Sequence, residues 1–216
     1  MTIQTFRTSY KRAFVDLGVK LSPKHAVPAR QLNVAEKRLR IKLPKALREY
    51  YLAAGRERRL NHAFNRLLAP SEWELHGDKL VFCEENQCVV VWAVRLAPGC
   101  DDPPVFVATV VDGEPARWFP EHGHSSQFLV FMLHLQGAYG GGLPFSATAS
   151  VSKHLRRTLD RNWNFAGEVN KMRAYGRRGQ SVCFVKWNRE WRLFAGAITK
   201  AGLSAIASQL KLAWDA

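Results

Sequence analysis

The chain has 216 residues, of which 47% are hydrophobic, and it carries a formal net charge of +14. This composition excludes an intrinsically disordered chain and suffices for one folded domain, with or without an extension. Purely apolar runs such as residues 89–94 are far shorter than a membrane-spanning helix.

The cysteines and the N-terminal residues bear on the cellular location. Cys83, Cys88, Cys100 and Cys183 form no C-x-x-C pair, and their wide spacing does not suggest a disulfide framework. The first residues lack the apolar segment of a signal peptide, although their basic, Ser- and Thr-containing character leaves an organelle presequence as an alternative. We therefore expect a cytoplasmic protein with free thiols.

The charge is unevenly distributed along the chain. Residues 1–70 contain 16 Lys and Arg against 4 Asp and Glu, residues 71–150 contain 3 against 10, and residues 151–216 contain 13 against 4. Basic ends around an acidic middle favour an anionic partner, such as nucleic acid, an acidic protein or a lipid surface. The alternative is that the basic residues only solvate the surface.

Two helices are predicted after a basic N-terminal extension. We expect residues 1–32 to be irregular, because Pro23 and Pro28 prevent a long helix, and a domain to span residues 33–216. Asn33 and Glu36 resemble a capping box that opens a helix ending near residue 39. Pro44 suits the first turn of a second helix, whose apolar face and C-terminal stop are Leu47, Tyr50, Tyr51, Ala54 and Gly55. Residues 56–66 continue as a helix or a loop.

The middle of the chain has the pattern of an antiparallel meander. Residues 80–83, 88–94, 105–111 and 116–119 form apolar, β-type runs. Asp112 and Gly113 are a strong hairpin signal between the last two, because both residue types tolerate positive φ.

The second half of the chain predicts two helices and a further hairpin. Ser125 or Ser126 caps a helix that is apolar nearly all round, which indicates a central position, and Gly137 with residues 140–142 ends it. Residues 182–187 and 191–196 form a hairpin, and Thr199 caps a last helix with its apolar residues inward. Because regular βαβ alternation is missing, the order of elements indicates an α+β fold with one bent, mostly antiparallel sheet of four to six strands.

No sequence motif predicts catalysis. The chain contains no phosphate-binding loop, no nucleophile elbow and no H-E-x-x-H metal motif. His122 and His124, with His76 or a cysteine, are the best metal ligands on offer, but a solvated loop explains their spacing equally simply. We predict no enzyme activity, no metal and no cofactor.

Two sets of charged residues are candidates for binding. Glu84, Glu85, Asp101 and Asp102 are paired acids near predicted strand ends, where loops often carry partner contacts. A nucleic-acid interpretation instead uses basic residues to contact phosphates and aromatic residues to stack on bases. Those residues are Arg56, Arg58, Arg59, Arg66, Arg156, Arg157, Arg177 and Arg178, with Trp163, Tyr175 or Trp187.

Several segments resemble the SUKH superfamily, also called Smi/Knr-like. The first is Leu43-Pro44 opening a helix that ends at Ala54-Gly55. The more specific one is Leu80-Val81-Phe82, Glu85-Asn86-Gln87, Val90-Val91-Trp92-Ala93-Val94 and Asp101-Asp102-Pro103-Pro104-Val105, in that order. Trp118, the helix over residues 128–135, and residues 175–183 and 191–210 follow in the expected order, so that the likeness covers most of the chain after residue 30.

The resemblance implies a bent sheet with packed helices, no catalysis, and a protein partner. Bacterial SUKH members are mostly immunity proteins encoded beside toxins, and some eukaryotic relatives act in regulatory scaffolds. On this interpretation, Glu84, Glu85, Asp101 and Asp102 contact a cognate toxin domain, standing in for phosphates if that toxin is a basic nuclease. The strongly basic charge departs from the acidic character of many nuclease inhibitors, and residues 56–66 and 171–178, with Arg177 and Arg178, form the alternative patch. A nucleic-acid-associated or regulatory scaffold protein is the alternative function.

Overall fold

A computed structural model describes residues 6–110 and 116–215. Within these ranges the helices are α1 Phe6–Asp16, α2 Ala29–Leu39, α3 Lys45–Ala54, α4 Arg58–Asn61, α5 Ser125–Ala138, α6 Leu155–Asn162 and α7 Lys200–Leu210, with a 3₁₀ turn at Pro23–His25. The strands are β1 Arg66–Leu67, β2 Glu74–His76, β3 Lys79–Glu84, β4 Val90–Arg95, β5 Val105–Thr109, β6 Arg117–His122, β7 Phe145–Val151, β8 Asn164–Val169, β9 Met172–Arg177, β10 Gln180–Trp187 and β11 Glu190–Ala197. The predicted α+β class is confirmed.

The N-terminal residues are not irregular, which corrects the prediction for residues 6–16. They form α1, whose Tyr10 and Phe14 are fully buried and pack against Tyr50 of α3. The Tyr10 hydroxyl donates to the carbonyl of Ala46 at 3.0 Å. The apolar spacing of α1 therefore outweighs its basic composition.

Helices α2 and α3 follow the prediction except at the start of α2. That helix begins at Ala29 after Pro28, so Asn33 lies inside it and the expected domain boundary before residue 33 falls within a helix. Its end at Leu39 is confirmed. Helix α3 follows Pro44 and ends at Gly55, where a Cβ would lie 2.7 Å from the ring of Tyr51.

The first sheet is the predicted meander, with strand order β1-β3-β4-β5-β6 and β2 paired to the same edge of β3 as β1. All its strand pairs are antiparallel, and register shifts mark bulges in the β3–β4 and β5–β6 pairs. The hairpin turn predicted at Asp112 and Gly113 lies outside the described residues.

A second antiparallel sheet, with order β7-β11-β10-β9-β8, was predicted only as its β10–β11 hairpin. That hairpin turns through Asn188 and Arg189, both with positive φ, which is the two-residue turn that matches the twist of paired strands. The chain therefore has two sheets where the sequence predicted one.

Helix α5 lies between the two sheets, which explains its apolar character all round. Phe128 packs against Phe82 and Trp92 of the first sheet, while His134 lies against Ser181 and Gly176 of the second. The predicted central position is confirmed. Helices α6 and α7 cover the opposite face of the second sheet, where Leu159, Ile206 and Leu210 are buried. Thr199 caps α7 as predicted, by accepting from Gly202 N at 2.9 Å. In the part of the chain that the structure describes, no helix has the length and hydropathy needed to cross a membrane.

Candidate interaction surface

The predicted acidic set does not form one surface. Glu84 and Glu85 end β3 and begin its hairpin with β4, whereas Asp101 and Asp102 lie in the connection from β4 to β5. Successive connections of an antiparallel meander lie at opposite ends of the sheet, and six residues of strand separate the two pairs by about 20 Å. The two pairs of acids therefore lie at opposite ends of the sheet, and their role in partner binding stays a prediction.

Glu84 is committed to contacts within the protein. Its Oε1 lies 2.6 Å from Nη2 of Arg66, which also pairs with Glu72, and 3.5 Å from Sγ of Cys88. Glu85 accepts a hydrogen bond from the backbone N of Gln87 in the β3–β4 turn, at 2.9 Å.

Asp102 caps helix α5. Its carboxylate accepts from the hydroxyls of Ser125 and Ser126 and from the backbone N of Ser126, at 2.6–2.9 Å. A carboxylate at a helix N-terminus satisfies free amides and interacts favourably with the helix dipole. The predicted cap, Ser125 or Ser126, therefore belongs to the first turn and helps to hold Asp102. Asp101 is exposed, and its backbone carbonyl accepts from Ala46 N at 2.9 Å.

Arg177 and Arg178 lie on the second sheet, apart from the acids. The Arg177 guanidinium stacks 4.3 Å from the centroid of Trp163 and donates to the carbonyl of Asn162 at 2.9 Å. Its pKa is lowered by burial and by the neighbouring charge of Arg178. Arg178 is exposed in the β9–β10 turn with a φ of 47°.

The residues of the nucleic-acid interpretation are also dispersed. Arg66 is ion-paired, Arg56 donates to Gln31 at 3.1 Å, and Arg156 lies 3.5 Å from Asp160. Of the proposed stacking residues, Trp163 and Tyr175 are buried in the outer core of the second sheet. Trp187 is 52% exposed near the tip of the β10–β11 hairpin and is available for stacking.

The histidine pair is explained by loop geometry. Nδ1 of His122 accepts a hydrogen bond from the backbone N of His124 at 3.0 Å. Nowhere in residues 6–110 and 116–215 do three or more His, Cys, Asp or Glu side chains group so as to hold a metal ion.

A different surface combines shape with charge. Residues 40–43, which connect α2 to α3 and are called the ridge below, separate two open clefts of about 480 and 560 Å³. The 96–101 loop forms the far wall of the first cleft, and Asn33, Glu36, Lys37 and Arg48 line the second.

The ridge is held by a partly buried network that starts at Glu36. One carboxylate oxygen of Glu36 accepts from the backbone N of Leu43 at 2.8 Å, and the other accepts from Nη1 of Arg48 at 2.7 Å. The second guanidinium nitrogen of Arg48 donates to Asn33 at 2.8 Å. Asn33 and Glu36, predicted as a capping box, thus fix the ridge instead of a helix start. Because Leu43 is buried, the ridge is anchored at its C-terminal end.

Arg40 is the first residue of the ridge and has a left-handed backbone, with a φ of 55°. Glycine and asparagine are usual at this position after a helix, and another residue there costs on the order of 1 kcal/mol. The Arg40 backbone N donates to the carbonyls of Glu36 and Lys37, so the turn directs an exposed arginine away from the end of α2.

The ridge and its flanks are strongly cationic. Lys37, Arg40, Lys42 and Lys45 are exposed, whereas the charges of Glu36 and Arg48 compensate each other and Asp101 is the acid on the opposite wall. These residues were not among the predicted site residues. Their signal in the sequence is the density of basic residues between positions 37 and 48.

Comparison with known proteins gave no match to a family model, a curated protein or a solved structure.

Proposed function

We propose that this chain is a non-enzymatic protein-binding module of the immunity-protein type, which neutralises a cognate toxin domain by direct binding. The family resemblance of residues 39–136 supports the class of function. The single structural observation that supports a binding role is the ridge: a rigid, cationic projection between two clefts, fixed by Glu36 and Arg48. The proposal includes no catalytic step and no cofactor, and the four free cysteines are consistent with the cytoplasm.

The charge of the ridge indicates an acidic partner surface. The exposed cations Lys37, Arg40, Lys42 and Lys45 raise the rate of association with an anionic surface, and the fixed backbone limits the entropy lost on binding. We therefore propose Lys37, Arg40 and Lys42 as the partner contacts. They replace the acidic set Glu84, Glu85, Asp101 and Asp102, of which Asp101 remains in the site as the acid on the wall of one cleft.

The proposal is tested by affinity capture from the native host with two charge-reversal variants. The first, the ridge variant, carries Arg40→Glu and Lys42→Glu on the ridge and Lys37→Glu beside it in α2. The second carries Lys153→Glu, Arg157→Glu and Arg161→Glu, exposed residues in and just before α6, and changes the net charge equally. We expect the wild type and the α6 variant to retain one protein at high salt, and the ridge variant to lose it. Co-expression of that protein should be toxic with the ridge variant and tolerated with the wild type.

The alternative is a nucleic-acid-associated protein, and the exposed Trp187 beside Lys186 and Arg189 is the observation in its favour. Capture of nucleic acid alone, released as salt is raised, would support that function and refute the immunity proposal. Loss of nucleic acid in Trp187→Ala but not in the ridge variant would locate the binding surface.

A further inference from the structure

A cleft of about 310 Å³ lies between α1, α5 and β8, away from the ridge. Its lining includes Ser9, Arg12 and Asp16 of α1, His134 of α5, and Asn164 and Phe165 of β8. Clefts of this size, in which a few polar groups converge beside an aromatic wall, are typical of small-molecule sites.

His134 forms the floor of the cleft and has a defined tautomer. Its Nδ1 lies 3.3 Å from Oγ of Ser181, while Ser181 donates its only proton to the carbonyl of His134 at 2.8 Å. With the Ser181 proton on this carbonyl, the tautomer that satisfies both groups has the proton on Nδ1 and a free lone pair on Nε2. The imidazole ring of His134 lies directly against the backbone of Gly176: a Cβ added to this glycine would lie 2.0 Å from Cε1 of the ring. The ring therefore has no room to turn towards Gly176, away from the cleft.

Nε2 of His134 is available to a ligand. It makes no hydrogen bond within the described residues, and because His134 is only 2% exposed, the cleft is its route of contact with a ligand. Burial lowers the pKa of His134 to about 4, so the ring is neutral and an acceptor at physiological pH.

Arg12 and Asp16 place opposite charges on one wall. They are four residues apart on α1, so their side chains lie on the same face of the helix. Among the described residues, however, Arg12 and Asp16 form no ion pair within 4 Å. The carboxylate of Asp16 accepts only a long hydrogen bond, 3.5 Å, from the side-chain amide of Asn164. Burial raises its pKa, which means that the carboxylate lacks full compensation for lost hydration.

The pattern of donors and acceptors defines the class of ligand. Two acceptors, the Asp16 carboxylate and Nε2 of His134, suit a primary ammonium group, and the guanidinium of Arg12 suits a carboxylate. We propose that this cleft binds a free α-amino acid, with its ammonium group at Asp16 and His134, its carboxylate at Arg12, and its side chain against Phe165. Phe165 lines the cleft and is 53% exposed, and the Arg173 guanidinium lies 4.5 Å from its centroid.

The proposal is tested on the full chain by isothermal titration with each of the twenty free amino acids, up to about 10 mM, which detects millimolar affinity. An amino acid that binds is then compared with its N-acetyl and its amide derivatives. We expect both derivatives to lose affinity by about tenfold or more, because each removes a charge-assisted contact. Heat from none of the twenty, or equal binding of the N-acetyl form, would overturn the proposal.

Variants connect binding to the cleft. Arg12→Gln and Asp16→Asn should each weaken binding by about tenfold or more, whereas Lys11→Gln, an exposed position on the same helix, should leave it unchanged. Ligand should also shift the side-chain nitrogen resonance of His134 Nε2, which a role in packing alone would not do. Equal affinities in all three variants, or an unchanged Nε2 resonance at saturation, would contradict the assignment to this cleft.

Discussion

Asp102 and Ser126 are joined by two hydrogen bonds across 24 residues of sequence: Oδ1 accepts from the backbone N of Ser126 and Oδ2 from its hydroxyl. The contact caps the central helix with a residue from the first sheet. Asp102, which the sequence predicted as a partner contact, therefore has a structural role.

Asp102→Ala should therefore destabilise the protein by about 1–2 kcal/mol, the usual cost of losing a helix cap. The adjacent Asp101→Ala is the matched control and should change the free energy of unfolding by less than about 0.5 kcal/mol, because its side chain is exposed. Urea denaturation of the two variants checks this. Equal effects would show that the Asp102 cap contributes nothing specific.

The close approach of α5 to β11 predicts a large effect at Gly196. A Cβ there would lie 2.0 Å from the carbonyl oxygen of Gly137, which has no room to move within a packed helix. Gly196→Ala should cost about 2–3 kcal/mol or more, whereas Gly123→Ala, with no atom within 4 Å of its Cβ, should be nearly neutral. The measurement is again the free energy of unfolding, and comparable values for both variants would contradict the observed packing.

The buried His134 predicts a pH dependence of stability. In the unfolded chain this histidine binds a proton near pH 6.5, whereas in the folded protein burial lowers its pKa to about 4. The unfolded state therefore binds more protons between these values, and stability should fall by roughly 3 kcal/mol as the pH is lowered from 6.5 to 4.

Ordinary carboxylates titrate near pH 4, so the interval from pH 6.5 to 5 reports mainly on histidines. His134→Gln keeps a side chain able to bond Ser181 and should flatten the dependence in that interval. Identical slopes for the wild type and this variant would show that His134 does not contribute.

The cysteines should fall into two reactivity classes. Cys88 is exposed and Cys100 partly exposed, whereas Cys83 and Cys183 are buried, which raises the pKa of both thiols. Because the thiolate is the reactive form, Cys83 and Cys183 should react with a thiol reagent only after unfolding. Mass spectrometry of the labelled native protein checks this, and rapid labelling of either buried cysteine would contradict the fold around it.

The sequence predicted the elements whose signals are local. Strands β3, β4 and β5 are apolar runs, and the β10–β11 turn uses two residues that tolerate positive φ. Helix α1 was not predicted, because the irregular N-terminus was inferred from Pro23 and Pro28, which lie after it. Its signal is the helical spacing of Tyr10, Ala13, Phe14 and Leu17. The remaining strands of the second sheet, such as β8, are rich in exposed positions and carry little pattern.

The candidate surfaces were harder to predict because they depend on contacts between distant segments. The separation of Glu84 from Asp101 follows from the meander itself and could have been deduced from it. The cap formed by Asp102, the anchoring of the ridge by Glu36, and the placement of His134 and Asp16 on one cleft depend on tertiary packing, which residue spacing does not reveal.

The most direct test of the account is the amount of the salt-resistant protein partner recovered by the ridge variant relative to the α6 variant, measured by quantitative mass spectrometry in the same lysate. The account predicts that the α6 variant recovers as much partner as the wild type and the ridge variant about tenfold less or lower, since several charged contacts are lost. Equal recovery by the two variants, or loss in the α6 variant alone, would contradict the assignment of the ridge as the partner-binding surface.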